Sequence, residues 1–559
     1  MTARALLHHD LTRLAPRIQP RLDPVLTARP LIDALLHGRF TVHGETHVIG
    51  DPVNWLTNPS DDIEWHIVLH KFGHAPGLVQ AYIDTGNSDF LELWKSHTLS
   101  WIAHVPPGYI AADVTGRRIR NWIYALTLFA DCTESAADPF FIEAVYCSLA
   151  EQVIWLEQNL HPGRNHRTLE LFAIFLAGVA FDDAGWTSFA LDALADNAAA
   201  DFLPDGVHVE RSSHYHCIAL RSLIETAEIA AANGIGVPDQ LARAIARARR
   251  FARALHKPDG TIPALSDADV GDFRDLLGDT PLAGPIETFP DGGYVFLRDD
   301  AAVRGERDGA YLVLDCGDIG AGNHGHLDCL SIEFAAFGRS LIVDPGRFTY
   351  HEGGEINERA RFRGTGAHNL VQVDGREQTR YRQGPKRMKI DGPAPAARLI
   401  AARPKFVHAQ ALSDQYDVTI DRRIMVDDDG WWLVHDAMHA DRPHDYDLRF
   451  QLSAESEGHS RIVALADGTQ AVRSPNLIAI TLSSHTLTTV LEPSFVSPRY
   501  GMRCAAPRIR AHQRAADAWF ATLLMPFAEA APRPLFTVEN MGFRISLDGG
   551  ATSQWIRPC

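Results

Sequence analysis

Through most of the first half of the chain, apolar residues recur at three- and four-residue spacing. The stretches "DDIEWHIVLHKF", "DFLELWKSHTLSWIAHV", "RRIRNWIYALTLFADC", "FFIEAVYCSLAEQVIWLEQNL", "NHRTLELFAIFLAGVAF", "GWTSFALDALADNAAADF", "HYHCIALRSLIETAEIAAANG" and "PDQLARAIARARRFARAL" each carry this stripe, the pattern of an amphipathic helix. Short joints with Pro, Gly and Asp, such as "HPGR" and "LPDG", separate them, so stacked helical hairpins are predicted. No fixed repeat period marks a consensus solenoid. The texture changes at residues 278–293, "GDTPLAGPIETFPDGG", which reads as a linker. Period-two alternation follows in "GYVFLRD", "GAYLVLDCG", "LSIEFAAFG", "RSLIVDPG" and "HNLVQVDG". "DRRIMVDDDGWWLVHDAM" reads as a hairpin turning at Asp429-Gly430. The pattern predicts an α+β multidomain protein: a helical domain over 1–285, then an antiparallel β-sandwich over 286–559.

At 559 residues, 46% hydrophobic and 22% charged, the chain is too long for one core. No run approaches the ~18 consecutive apolar residues of a membrane helix. The first residues, "MTARALLHHDLTRLAPRIQPRLDP", lack the apolar core of a signal peptide, so a cytoplasmic location is expected. Seven scattered cysteines without a C-x-x-C suit reduced thiols rather than a disulfide frame or a cysteine zinc site. A net charge of −17 argues against a nucleic-acid surface. It leaves room for an acidic ligand in a cleft lined locally by Arg, Lys and His.

Four polar clusters interrupt the patterning. "RNHRTLE" puts Asn165 and His166 at a helix start, where an Asn serves equally well as a cap. "HVERSSHYHC" gathers Glu210, Arg211, His214, Tyr215 and His216 at a helix entry; a tyrosine moves protons only when neighbours lower its pKa or pre-bond its phenol, and a polar loop with a half-buried Tyr fits as well. "NHGHLDCLS" sets His324, His326 and Asp328 at alternate positions, on one face if the segment is a strand. "ERARFRGTGAHNLVQVDG" supplies Arg359, Arg361, Arg363 and His368, a basic run suited to an anion. H-x-H alone is weak in a chain with 27 histidines. The H-E-x-x-H, P-loop and nucleophile-elbow patterns are absent from the sequence.

As an ordered set, "RNHRTLE", "ERSSHYH", "GHLDCLSIEFAAFGRSLIVDPGRFTY" and "RFRGTGAHNLVQVDGREQ" resemble the heparinase II/III family of polysaccharide lyases. The resemblance implies an incomplete (α/α) toroid of helical hairpins followed by an antiparallel β-sandwich. It also implies β-elimination on a uronic-acid polysaccharide or oligosaccharide, giving 4,5-unsaturated ends. Carried over by motif, Asn165 resembles the neutraliser of the substrate carboxylate, with His166 beside it. Tyr215 resembles the general acid, and for some substrates also the base; His324 resembles the partner base or second neutraliser. Arg211, His216, Arg361 and Arg363 are the implied substrate contacts. His326, Asp344 and His368 match a structural divalent-metal site, zinc being the expected ion, and Asp328 is left as a support for the histidines. Glu170, four residues beyond His166, is placed to assist it. The expected partner is an acidic polysaccharide rather than nucleic acid or membrane; oligomeric state stays open, a homodimer included. A glycan-binding protein without turnover, or a metal-dependent glycan hydrolase using His324, His326 and Asp328 together, are the alternatives.

Overall fold

The computed structural model describes residues 17–50, 52–132, 138–383, 388–427, 430–465 and 468–529, together with the backbone of three strands near the carboxyl end. Asp429 of the expected turn and the first sixteen residues of the stretch read for an export signal lie outside them. The chain divides into two compact units, Met1–Phe202 with Ile218–Ala246, and Leu203–Cys217 with Arg247–Cys559. This division differs from the change of texture near residue 285, because two segments upstream of it cluster with the sheets.

The helical unit is built in two rows. Helices Ala75–Thr85, Ala112–Ala130 and Arg164–Phe181 pack side by side, and Ser88–His104, Pro139–Gln158 and Ala184–Asp201 pair with them as hairpin partners. Helices of the first row are buried along most of their length, those of the second mainly on one face. That is the arrangement expected of an (α/α) toroid. Local chemistry sets the ends: Asp62, Asn87 and Asp183 accept backbone N–H groups at helix starts, and Gly86 takes the left-handed conformation that closes Ala75–Thr85. Pro139–Gln158 is, among the described residues, the helix long and apolar enough to cross a membrane on length and composition alone. Its buried face, with Val145, Leu149, Val153 and Leu156, packs against neighbouring helices of the unit.

In the second unit every sheet is antiparallel. A five-stranded sheet runs Ile286–Phe289, Tyr294–Arg298, Tyr311–Asp315, Ile332–Ala336, Arg339–Ile342 in spatial order. Its edge strand lies inside the segment read as a linker. An eight-stranded sheet includes Thr419–Val426 paired with Trp432–His439, the expected hairpin. A four-stranded sheet joins Thr488–Val496, Cys504–Ala515, His444–Gln451 and Val371–Val373. One core serves all three: Leu312 and Phe334, Ile424 and Trp432, Leu448 and Phe450 belong to the same buried cluster. The six described cysteines carry free thiols.

One buried pair ties this core to the loops above it. Arg422 and Asp436 face each other across two strands, with Arg422 Nε and Nη2 donating to the two carboxylate oxygens at 2.6 and 2.9 Å. The remaining nitrogen, Nη1, donates to the carbonyls of Leu330 and Asn369, each at 2.6 Å. Those carbonyls directly follow "NHGHLDC" and His368.

Candidate active site

"NHGHLDCLS" is not a strand. Residues 323–331 form an irregular loop, and the strand begins at Ile332. Gly325 packs so closely on the preceding turn that a Cβ would collide with the Ile319 carbonyl oxygen, and Leu330 has φ +71°. His324 and His326 nonetheless converge, because both reach Asp267. His324 Nδ1 lies 2.9 Å from one carboxylate oxygen and His326 Nε2 2.9 Å from the other. Arg359 binds the same carboxylate in a fork, Nη2 to Oδ2 at 2.7 Å and Nη1 to Oδ1, and Asp267 is fully buried. Burial alone would raise its pKa; Arg359 and the two histidines outweigh burial and hold the carboxyl well below the usual carboxylate range. An ionised carboxylate only accepts. His324 therefore carries a proton on Nδ1 and His326 one on Nε2, which points their lone pairs, when neutral, to His324 Nε2 and His326 Nδ1.

Tyr215 belongs to the same unit as Asp267 and His324. Ser212 fixes it at the start of helix Ser213–Ala232: its Oγ accepts from Tyr215 N at 3.2 Å and donates to the Asp267 carbonyl at 2.7 Å. The phenol ring stacks on the His324 imidazole, centroids 3.9 Å apart. Its oxygen lies 2.8 Å from Tyr350 Oη, and Arg347 Nη1 donates to Tyr350 at 2.8 Å and to Tyr215 at 3.3 Å. Asp269 holds Arg347 from behind, accepting from Nε at 2.9 Å and Nη2 at 2.7 Å. A proton donor or acceptor, a stacked imidazole and a fixed cation thus meet around one phenol oxygen, with carboxylates two residues apart setting the positions of the histidines and the arginine.

His326, Asp344 and His368 form a second cluster, fully or nearly fully buried, with one potential ligand atom of each within 4.8 Å of the others. His368 Nδ1 lies 2.7 Å from Asp344 Oδ2. His326 Nδ1 and His368 Nε2 are buried and lack a hydrogen-bond partner, which fits a metal-binding donor set of two imidazoles and a carboxylate. Burial brings His326 down to about 4 despite Asp267, so its ring is neutral, the form a metal binds. His368 goes the other way: burial opposes charge there, but Asp344 and Asp328 lift it to about 9. Glu333 braces both clusters, accepting from the backbone N–H of Ala264 at 2.8 Å and Asp344 at 3.1 Å; burial raises its carboxyl to about 7.

The other candidates are placed as follows. Asn165 and His166 lie in the helical unit, as the second and third residues of helix Arg164–Phe181, with Gly163 rather than Asn165 at the cap position. Glu170 serves His161, accepting from its backbone N at 2.8 Å and facing its ring Nδ1 at 2.5 Å. Arg211 donates to the carbonyls of Gly292 and Asp291 and pairs with Asp318. His216 is buried against Phe251 with Nε2 3.0 Å from the Ala248 carbonyl. Arg363, also buried, donates twice to the Gly325 carbonyl at 3.0 and 2.8 Å, supporting the histidine loop. Arg361 is the exposed one, over the Phe495 ring. No hydrogen bond from His324 or His326 to the Asp328 carboxylate is present among the described residues; Asp267 does the orienting. The triad of His324, His326 and Asp328 is not assembled either, since His326 groups with Asp344 and His368.

Sequence reading missed Asp267, Asp269, Arg347 and Tyr350. The last two stand in the quoted "VDPGRFTY". The aspartates stand in "LSDADV", whose paired acids in an otherwise apolar surrounding were the available signal.

Comparison with known proteins shows the family and the fold. Residues 25–292 match the heparinase II/III N-terminus and residues 282–532 the heparinase II/III-like C-terminal domain. A heparin-sulfate lyase of Bacteroides thetaiotaomicron is 22% identical over 377 residues, covering 57% of this chain and 53% of that protein; the match thus spans about half the relative's length. Among solved structures, heparinase III superposes with a TM-score of 0.80 at 16% identity, covering 99% of this chain and 95% of that one. A mutant heparan sulfate lyase from Pedobacter heparinus gives 0.68 at 17% identity, with 99% and 94% covered. The chondroitin AC lyase of Streptomyces coelicolor A3 gives 0.56 at 13%, with 98% and 86% covered. With both halves of the chain matched in order, this protein belongs to the heparinase II/III family.

Proposed function

We propose that the chain is a polysaccharide lyase acting by β-elimination on uronate-containing glycans of the glycosaminoglycan type. The observation that carries this reading is the Tyr215 phenol stacked on His324 and hydrogen-bonded by Arg347. The chemistry asks for that set. The C5 proton of a uronate is weakly acidic, and the adjacent carboxylate disfavours a carbanion until donors neutralise it. A base then takes the C5 proton, the C–H electron pair becomes the C4–C5 double bond, and the C4–O bond breaks with its pair on the departing oxygen. An acid protonates that oxygen. No water attacks, so the two carboxylates of a glycosidase are not needed.

In this reading His324 Nε2 receives the C5 proton and Tyr215 Oη delivers one to the leaving oxygen, or carries both transfers. Arg347 places positive charge where negative charge builds on the phenol oxygen, and Asp267 stabilises the imidazolium that forms. Asn165 and His166 enter as carboxylate neutralisers on the family resemblance alone. The test is a panel of heparan sulfate, hyaluronan, alginate and glucuronan, read by ultraviolet absorbance of the unsaturated uronate. The expected result is absorbance growth on at least one glycan. Saturated reducing ends would point to hydrolysis, and binding without any product to a glycan-binding protein.

The buried trio would hold a divalent ion, which supplies a structural cross-link between the histidine loop, the Asp344 turn and the His368 segment. His324 and His326 share Asp267, but His324 otherwise stacks on Tyr215 and His326 groups with Asp344 and His368, so their substitutions should separate. His326→Ala is expected to lose metal, measured by elemental analysis of purified protein, and to melt at lower temperature. His324→Ala should keep its metal and lose turnover. Equal metal content in the two variants would count against this division.

A further inference from the structure

The four-stranded sheet carries a cavity of about 300 Å³ whose lining includes none of Tyr215, His324, Arg347 or Tyr350. It lies against helix Glu358–Arg363 and the turn that follows. Arg449, Arg508 and Arg361 line it, with Glu377 the one carboxylate on its wall, already accepting from Thr365 N. Phe362 and Phe495 supply the apolar surface.

Its arginines share few carboxylates. Glu492 serves both Arg508 and Arg510, and Asp447 serves both Arg449 and Arg510, so these three guanidiniums share two carboxylates, while Arg361 pairs with Glu358 and His512 lies between Asp447 and Asp445. Arg449 also donates to Gln372 Oε1 at 2.8 Å and Arg508 to the Gly366 carbonyl at 2.6 Å. After these bonds, Arg449 Nε and Arg508 Nε remain buried without a partner. A buried charged donor without an acceptor is costly, and an anion is the group that relieves it. In a chain of net charge −17, this concentration of positive charge is local.

We propose that this cavity is a second carbohydrate site, taking one anionic pyranose through its carboxylate or sulfate. The volume is at the small end of ligand pockets, ~300–1,000 Å³, which suits a single sugar ring rather than a chain. The identity of the glycan that carries this sugar rests on the lyase reading above; the site itself does not.

The test uses the full chain, titrated by calorimetry and ligand-observed NMR with glucuronate, glucosamine 6-sulfate, inorganic sulfate and glucose. Two variants probe the cavity. Arg508→Met leaves Glu492 paired with Arg510, so no carboxylate is orphaned. Ser494→Leu fills the cavity from strand Thr488–Val496 without changing charge. Loss of one charge-assisted contact is expected to weaken an anionic sugar about tenfold, and Ser494→Leu should do at least as much, while Tyr215→Phe and His324→Ala leave this binding in place. The glucuronate and sulfated-sugar arms tell carboxylate from sulfate recognition. Undiminished binding in both cavity variants, or no binding of either anionic sugar to the unaltered chain, overturns the proposal. So does inorganic sulfate binding as tightly as the sugars, which would mean an adventitious ion only. If no glycan yields an unsaturated product while the cavity still binds, the lyase reading fails and the second site stands.

Discussion

Tyr215→Phe is expected to lower turnover on a cleavable glycan by about 10²–10⁴-fold, the usual range for removing a positioned acid–base group. The substitution deletes one oxygen and keeps the ring that stacks on His324. The change should therefore leave the melting temperature within a degree or two and KM little altered. Among the described residues the oxygen has Tyr350 Oη and Arg347 Nη1 as hydrogen-bonding neighbours, and both retain other partners: Arg347 keeps Asp269 and Tyr350. Neither of these groups is orphaned, so a loss of rate can be read as lost chemistry. The measurement is initial rate by product absorbance at saturating glycan, alongside a thermal melt. A rate within threefold of the unaltered enzyme would remove Tyr215 from the acid–base role.

Asp267→Ala should have a different signature: destabilisation first, with activity lost as a consequence. The carboxylate is fully buried and neutralises Arg359, itself 2% exposed, while receiving both histidines. Removing one partner of a buried pair leaves a charge without compensation, at a cost of about 3–5 kcal/mol. Arg359 keeps one bond, to the Asn323 carbonyl at 3.0 Å, which softens the loss without replacing an anion. The diagnostic is a double-mutant cycle. Asp267→Ala combined with Arg359→Met should be less destabilised than the sum of the single changes, by about 1–3 kcal/mol in denaturant melts. Additive effects would show that the pair is not coupled.

Much of this was legible in the sequence, for identifiable reasons. Periodicity located eight of the helices and the later strands because their apolar residues recur at the period of the element, even where a helix such as Arg164–Phe181 is buried nearly all round. Helix Ala75–Thr85 was not among them; it carries Pro76 and Gly77 in its first turn, where Pro is well tolerated. The hairpin Arg39–Val42 to Glu45–Val48 was also missed; its turn residues His43 and Gly44 both have positive φ, as a two-residue hairpin loop of the mirror-image type demands. In the site, Tyr215, His324, His326, Asp344 and His368 came from motif wording. Asp267 did not, because nothing local marks a carboxylate whose partners lie 57, 59 and 92 residues away. The alternation in "NHGHLDCLS" suggested a strand face, and the structure replaces that geometry with a loop gathered around one carboxylate.

That the sheet-bearing unit takes in Leu203–Cys217 has a consequence for how the protein is made. Tyr215 leaves the ribosome 135 residues ahead of Tyr350, a wait of roughly 7–27 s at ~5–20 residues per second. The stretch Ile218–Ala246, emitted in between, belongs to the other unit. Part of the helical unit is therefore made while the phenol still lacks its hydrogen-bonding partner, and chain growth rather than local folding sets when the pair can form. A fragment beginning at residue 286 would keep His324, Arg347 and Tyr350 but lack Tyr215, Asp267 and Asp269. It would carry most of the sheets and only part of the cluster built around Tyr215 and Asp267.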